Sequence, residues 1–305
     1  MPPQTISSSA DSGATPSLGS FSRRLFFLIL WILAACLLFL RPLSSFLSYS
    51  LSDENASHLV LIPFLSGWIL YLERHRIFRS FATDRAAAAM FSAAGAAIGL
   101  TALYFGSHWT ALNRLSAYIL SLILLWAAGF ALLFGRHALQ RARFAFGFLL
   151  LTIPIPEFVL DKTIYLLQKG SAEIAAVLFD LSGVPVLRDG FVFHLANVNI
   201  EVARECSGIR SSLALLILAI LVAYFYLDKF WKRLVLIVAG LFVMILKNGV
   251  RIVTLTLLAS YVDPGFLYGK LHHEGGVVFF LLGLLLLAPL TWLLQRKTRP
   301  TQAAS

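Results

Sequence analysis

Residues 231–260 read WKRLVLIVAGLFVMILKNGVRIVTLTLLAS, and the spacing of charge along them decides the fold class. Lys232 and Arg233 open the stretch, no charge interrupts the run from Leu234 to Leu246, and Lys247 and Arg251 follow. The apolar residues lack the period-two alternation of a barrel strand. As a helix, Trp231 to Arg251 rises about 30 Å, which matches the hydrocarbon thickness of a bilayer. The stretch reads as a membrane helix anchored by bases at one interface and carrying a guanidinium to the other.

The rest of the chain repeats this pattern. Of 305 residues, 59% are hydrophobic and 13% charged. The mean hydropathy of +0.82 lies outside the range of soluble domains. The expected fold class is all-α: a polytopic transmembrane bundle of about eight spans, at 25–47, 58–72, 86–105, 115–134, 144–160, 209–227, 231–260 and 275–294. The run 25–47 is too long for a signal-peptide core and reads as a retained first helix. IPIPE (153–157) should break or end the fifth span near Ile153. Residues 1–22, rich in Ser, Pro and Gly, form an expected disordered tail. Residues 23–295 make the membrane domain, and 296–305 a cytoplasmic tail.

The formal charge of +10 does not point to nucleic acid, because the bases sit in short clusters between apolar runs. With a cytoplasmic N-terminus, the inside segments hold Arg23 and Arg24, then Arg74, Arg76, Arg79 and Arg85, then Arg136, Arg141 and Arg143, then Lys229, Lys232 and Arg233, then Arg296, Lys297 and Arg299. The outside segments collect acids such as Asp53, Glu157, Asp161, Glu173, Asp189, Glu201 and Glu205. This is the positive-inside distribution, and it places both termini in the cytoplasm. The chain has two cysteines, Cys36 and Cys206, with no zinc-type pairing and no Gly-rich phosphate loop, so no metal or cofactor is expected. Cys36 lies within an apolar run, as a small buried hydrophobe does.

The longest outside segment, about 161–208, begins with DKTIYLLQKGSAEIAAVLFDLSG, whose helical apolar spacing predicts an amphipathic surface helix stopped by Gly183. The next part, VPVLRDGFVFHLANVNIEV, has two β-prone stretches about the turn pair Asp189-Gly190 and predicts a short hairpin.

Three polar sites reach the outer face in this topology. Cys206 lies beside Glu205, at or just before the helix that starts near Ser207, with Arg210 four residues on. A helix N-terminus and a nearby guanidinium both favour a thiolate, and Glu205 opposes it. Arg251 has Lys247 and Asn248 one turn before it. Snorkelling to the headgroups and a functional role are both open for Arg251, and structural pairing to an acid or carbonyl is expected for Lys247. KLHHEGGVVFF (270–280) places His272 and His273 before the last span, and only one of them can face Cys206. Nucleophile, guanidinium and imidazole thus converge within about one helical turn of one surface. Arg210 and Asn248 are further candidates for substrate contact. His58 either lines a substrate groove or caps the interface. His75 and His137 fall on the cytoplasmic side, and His108 and His194 have no partner at readable spacing.

ECSGIRSS (205–212), NGVRIVTLTLLASYVDPGFL (248–267) and LHHEGGVVFFLLGLLLL (271–287) resemble the Cys, Arg and His motifs of the exosortases and archaeosortases. Weaker echoes in ENASHLVLIPFLSGWIL (54–70), IPIPE and LSGVPVLRDGFVF (181–193) extend the resemblance over about residues 50–290. It implies a multi-pass, inner-membrane cysteine transpeptidase-like enzyme whose active site faces away from the cytoplasm. Its partners would be exported proteins with a C-terminal sorting signal, made of a Pro-Glu-Pro type motif, a transmembrane helix and a basic cluster, and a lipid or polysaccharide acceptor. The resemblance makes Cys206 the nucleophile, Arg251 a proton donor or polarising group, and His272 the transition-state or proton-transfer residue, with His273 the alternative. Two other readings stand beside it. A transporter would line an anion path with Lys247, Arg251 and the histidines, and a noncatalytic subunit of a polysaccharide-export system would use the outer cluster for docking.

Overall fold

A computed structural model describes residues 18–53, 56–80, 82–196, 198–202, 209–267 and 276–296, which fold as two compact units divided at Glu157 and Phe158. The N-terminal unit contains α1 (Leu18–Leu38), α2 (Leu40–Ser52), α3 (Leu61–Leu72), α4 (Arg74–Ile77), α5 (Arg85–Tyr104), α6 (Ala111–Arg141) and α7 (Arg143–Leu149). The C-terminal unit contains α8 (Glu157–Ser182), which starts at the last residue of the first unit, the strands β1 (Leu187–Asp189), β2 (Val192–His194) and β3 (Asn199–Glu201), then α9 (Ile209–Tyr226), α10 (Phe230–Tyr261) and α11 (Gly276–Arg296). The protein is a helical, multi-pass membrane protein with a small β element. Five described helices, α1, α5, α6, α10 and α11, are long and apolar enough to span a bilayer, and up to six spans result if the broken pair flanking the prolines counts as one.

The expected spans differ from the helices for identifiable reasons. The run 25–47 breaks at Phe39, whose φ/ψ of −101°/24° leaves the helical region. The cause is Pro42, which has no N–H to donate to the Leu38 carbonyl four residues back and whose ring crowds that carbonyl. The run 144–160 breaks where expected: Ile153 N–H closes a last turn on Leu150 (3.0 Å), and α8 restarts at Glu157. Ser116 Oγ donates to the Pro154 carbonyl (2.7 Å) and Glu157 N–H donates to Asn113 Oδ1 (2.9 Å), so α6 supplies partners for a backbone that the prolines deprive of them. The run 58–72 shortens to the 12 residues of α3, and 209–227 becomes the 18 residues of α9.

Small residues bring α5 and α6 together, as expected for helices whose surroundings are as apolar as their side chains. A Cβ at Gly95 would lie 3.1 Å from the Ser121 carbonyl oxygen, and one at Gly99 would lie 2.8 Å from Ser121 Oγ. Ser121 Oγ donates to the Gly95 carbonyl at 2.7 Å. Farther along α6, Gly135 leaves the helix at φ +82°, and the Ala131 carbonyl, four residues earlier, accepts from Asp84 N–H (3.2 Å) instead. A Cβ at 135 would sit 2.0 Å from the Ala82 carbonyl oxygen. Gly135→Ala therefore meets both a clash and a left-handed backbone. It is expected to cost at least about 2 kcal/mol and to lower the melting temperature of the detergent-solubilised chain, and an unchanged melting temperature would contradict this packing.

Within each unit, bases gather at helix ends and hydrogen-bond the carbonyls that a helix terminus leaves open. In the first, Arg24 donates to Leu133, Arg74 to Tyr71 (2.8 Å) and Arg76 to Arg141 (3.0 Å). In the second, Arg233 donates to Leu227 (2.8 Å), and Lys232 pairs with Asp228 (3.4 Å) in the turn between α9 and α10.

A helix and a hairpin form where the sequence predicts them, the helix starting four residues earlier than expected, at Glu157. The buried residues Leu167, Ser171, Ala175 and Phe179 recur every four positions along α8, and Gly183 ends it at φ +69°. Asp189 pairs with Val192 across a two-residue turn whose first position, Gly190, has φ +58°, a value glycine adopts without strain. The third strand, which pairs β2 from His194–Asn199 to Val192–Glu201, was not anticipated. His194, read as partnerless, hydrogen-bonds Asn199 across that pair at 3.0 Å.

Candidate active site

The three-stranded sheet is fastened to α8 and α10 within the C-terminal unit. Phe193 and Val202 share a buried cluster with Ala172, Ala175 and Phe179 of α8 and with Ile252 and Val253 of α10. Arg188 makes two hydrogen bonds to the Glu173 carboxylate (2.9 and 3.0 Å), while Gln168 Nε2 donates to the Val202 carbonyl. The Val202 N–H in turn donates to Phe191 (2.9 Å). Val202, four residues before Cys206, is thereby held beside the turn of α10 that carries Arg251.

That turn is built from KNGVR. Lys247 is 1% exposed, and its Nζ donates to Ser211 Oγ at 2.6 Å, in the first turn of α9. The partner is a hydroxyl instead of the expected acid or carbonyl. Asn248, also 1% exposed, donates through Nδ2 to Ser171 Oγ of α8 at 2.9 Å. Gly249 comes so close to α8 that a Cβ would lie 2.4 Å from Ile174 Cγ2 and 3.3 Å from the Ser171 carbonyl oxygen. Three consecutive residues thus fix this part of α10 against α9 and α8, and Arg251 follows them, half-buried. Locking the backbone one turn before a guanidinium limits where its fork of donors can reach.

The third helix end arrives at the same place. A Cβ at Gly283 of α11 would lie 3.0 Å from Leu215 Cδ2 of α9 and 3.5 Å from Lys247 Cδ. Helices α9 and α11 both run antiparallel to α10, so the start of α9, the Arg251 end of α10 and the start of α11 lie at one end of this unit.

The candidate residues are distributed as follows. Arg251 and Asn248 share the anchored turn of α10, and Arg210 belongs to the first turn of α9. Cys206 with Glu205, and His272 with His273, lie outside the described residues, in 203–208 and 268–275. His58 is half-buried in the turn before α3, in the other unit. The side chain of Asn248 is buried and bonded through Nδ2 to Ser171. The sequence did not single out Ser211 or Ser171, the hydroxyl partners that place this turn. A Lys-Asn pair in a membrane helix was the available signal, because buried polar side chains require partners.

With this geometry in view, the chain matches the family model described as "Transmembrane exosortase (Exosortase_EpsH)" over residues 49–289. No curated protein and no solved structure matches it.

Proposed function

This chain belongs to the transmembrane exosortase family, and from that premise we propose that it cleaves C-terminal sorting signals of exported proteins through an acyl-thioester on Cys206. Membership alone makes it a membrane sorting enzyme. The signal class, a Pro-Glu-Pro type motif followed by a transmembrane helix and a basic cluster, follows from the resemblance of the motifs around Cys206, Arg251 and His272.

The thiolate of Cys206 attacks the scissile carbonyl, a C–S bond forms, and the carbonyl oxygen takes up negative charge. Arg251 donates hydrogen bonds to this oxyanion. Its guanidinium stays protonated, so it serves as an electrophile and not as a base. The C–N bond then breaks, and His272, or His273 in its place, gives the departing amine its proton. Water or an acceptor hydroxyl or amine next attacks the thioester, loses a proton to the imidazole and releases the thiolate. The substrate's own membrane helix would hold the scissile motif at the outer interface and supply the proximity that soluble proteases obtain from a cleft. The positive-inside pattern supports an orientation with both termini cytoplasmic and this chemistry on the non-cytoplasmic side, and the resemblance supports the inner membrane.

One observation carries the reading: the anchored turn that holds Arg251 is bonded to the start of α9 through Lys247 and Ser211. In sequence, Cys206 precedes Ser211 by five residues and follows Val202 by four, and a chain extends at most about 3.6 Å per residue. The test is co-expression with an exported protein bearing such a tripartite signal. Processing to a shorter form that depends on this chain supports the proposal, and an unprocessed substrate that still reaches the membrane overturns it.

A further inference from the structure

The N-terminal unit contains a groove of about 1330 Å³ between the α1–α2 elbow, α5 and α6, and no step of the proposed reaction uses it. Its walls are apolar, with Leu37, Leu40, Leu100, Leu103 and Leu112 among them. The volume exceeds the roughly 300–1,000 Å³ of sites for compact small molecules. Two cations, Arg41 and Arg114, line the same groove, and no acid does among the described residues.

Both guanidiniums are exposed, and among the described residues neither side chain makes a hydrogen bond or ion pair. They also lie at one end of the groove. Trp31 of α1 donates to the Leu125 carbonyl of α6 (2.8 Å), and Phe39 meets the Tyr118 ring at 6.2 Å, so the two helices run antiparallel. Arg41 lies two residues beyond Phe39, and Arg114 one turn before Tyr118, in the same direction. The Arg114 stem has a defined bed: a Cβ at Gly106, in the α5–α6 connection, would lie 3.0 Å from its Cδ. Neither arginine belongs to the basic clusters that cap helix ends at the cytoplasmic interface.

We propose that this groove binds one anionic phospholipid, with acyl chains along the leucine wall and the phosphate held by Arg41 and Arg114. The apolar volume accounts for the chains. Two exposed guanidiniums at one end account for the head, since planar forks of donors match phosphate oxygens. A free phosphate would leave the leucine wall uncovered, and a zwitterionic lipid would place a cation beside two others.

The test uses the full chain in detergent, titrated with phosphatidylglycerol or phosphatidylcholine and read by native mass spectrometry as lipid retained per chain. The wild type is expected to prefer phosphatidylglycerol by about thirtyfold, given about 1 kcal/mol for each of the two arginines near an anionic headgroup. Arg41→Gln with Arg114→Gln should reduce that preference below about twofold. Arg79→Gln, an exposed arginine outside the groove, should leave it unchanged. Leu103 lines the groove and is 62% exposed, so Leu103→Trp should fill the space without disturbing the core and lower retention of both lipids. Equal retention of the two lipids by the wild type, as a nonspecific lipid ring gives, overturns the proposal. So does an unchanged preference in the double variant, or an apolar peptide retained at the groove in place of lipid.

Discussion

Cys206→Ala is expected to abolish processing of a co-expressed substrate while the abundance and membrane insertion of the chain stay at wild-type levels. Removing a covalent nucleophile eliminates the bond that divides one difficult step into two, and comparable losses in covalent hydrolases are about a thousandfold or more. Ala is close to Cys in size and opens no large cavity, so instability is not expected to account for the loss. Cys36 is the internal control. It is a free, half-buried thiol on α1 within the N-terminal unit. Cys36→Ala should leave processing near wild type, because it removes a single partly exposed sulfur from a helix with high propensity for Ala. Equal processing by Cys206→Ala and the unmodified chain would eliminate the cysteine mechanism while leaving family membership untouched.

Arg251→Lys carries the second large effect, and it separates the two roles that a guanidinium at a membrane edge can play. A side chain that only anchors the helix at the headgroups can be replaced by lysine, which extends to water equally well. A side chain that stabilises an oxyanion cannot, since an ammonium is a point charge and does not reproduce a planar fork of donors. Loss of one oxyanion donor typically costs about a hundredfold to a thousandfold in rate, and a drop of that order is expected here. The anchored turn should survive the change, because Lys247, Asn248 and Gly249 hold it through Ser211, Ser171 and Ile174. Full activity with lysine at position 251 would reduce Arg251 to an interfacial anchor.

Much of the architecture was legible in the sequence because the bilayer imposes simple rules. Apolar length and charge placement revealed the helices, and the helical spacing of apolar residues after Asp161 with Gly183 marked α8 and its end. Asp189-Gly190 announced the hairpin, as the positive φ of Gly190 bears out. Other features depend on tertiary partners or on backbone bonds four residues away. The break at Phe39 follows from Pro42, whose missing N–H acts on Leu38 and not on its own position. The third strand has little sequence signal, since three residues are too few for a period, and it exists because β2 offers an edge. At the candidate site, the residue types KNGVR were readable, whereas their partners Ser211 and Ser171 were not. Those serines lie 36 and 77 residues away in the chain, and only packing brings them near.

The central claim is that a sulfur of this chain becomes covalently bound to the substrate, and the most direct measurement is of that bond. The chain is co-expressed with a substrate carrying the tripartite signal, quenched in acid, digested and analysed by mass spectrometry. An acyl adduct on the peptide containing Cys206, labile to hydroxylamine and absent from Cys206→Ala, is the predicted result. Efficient processing without any adduct at Cys206, or with the adduct on another residue, would contradict it.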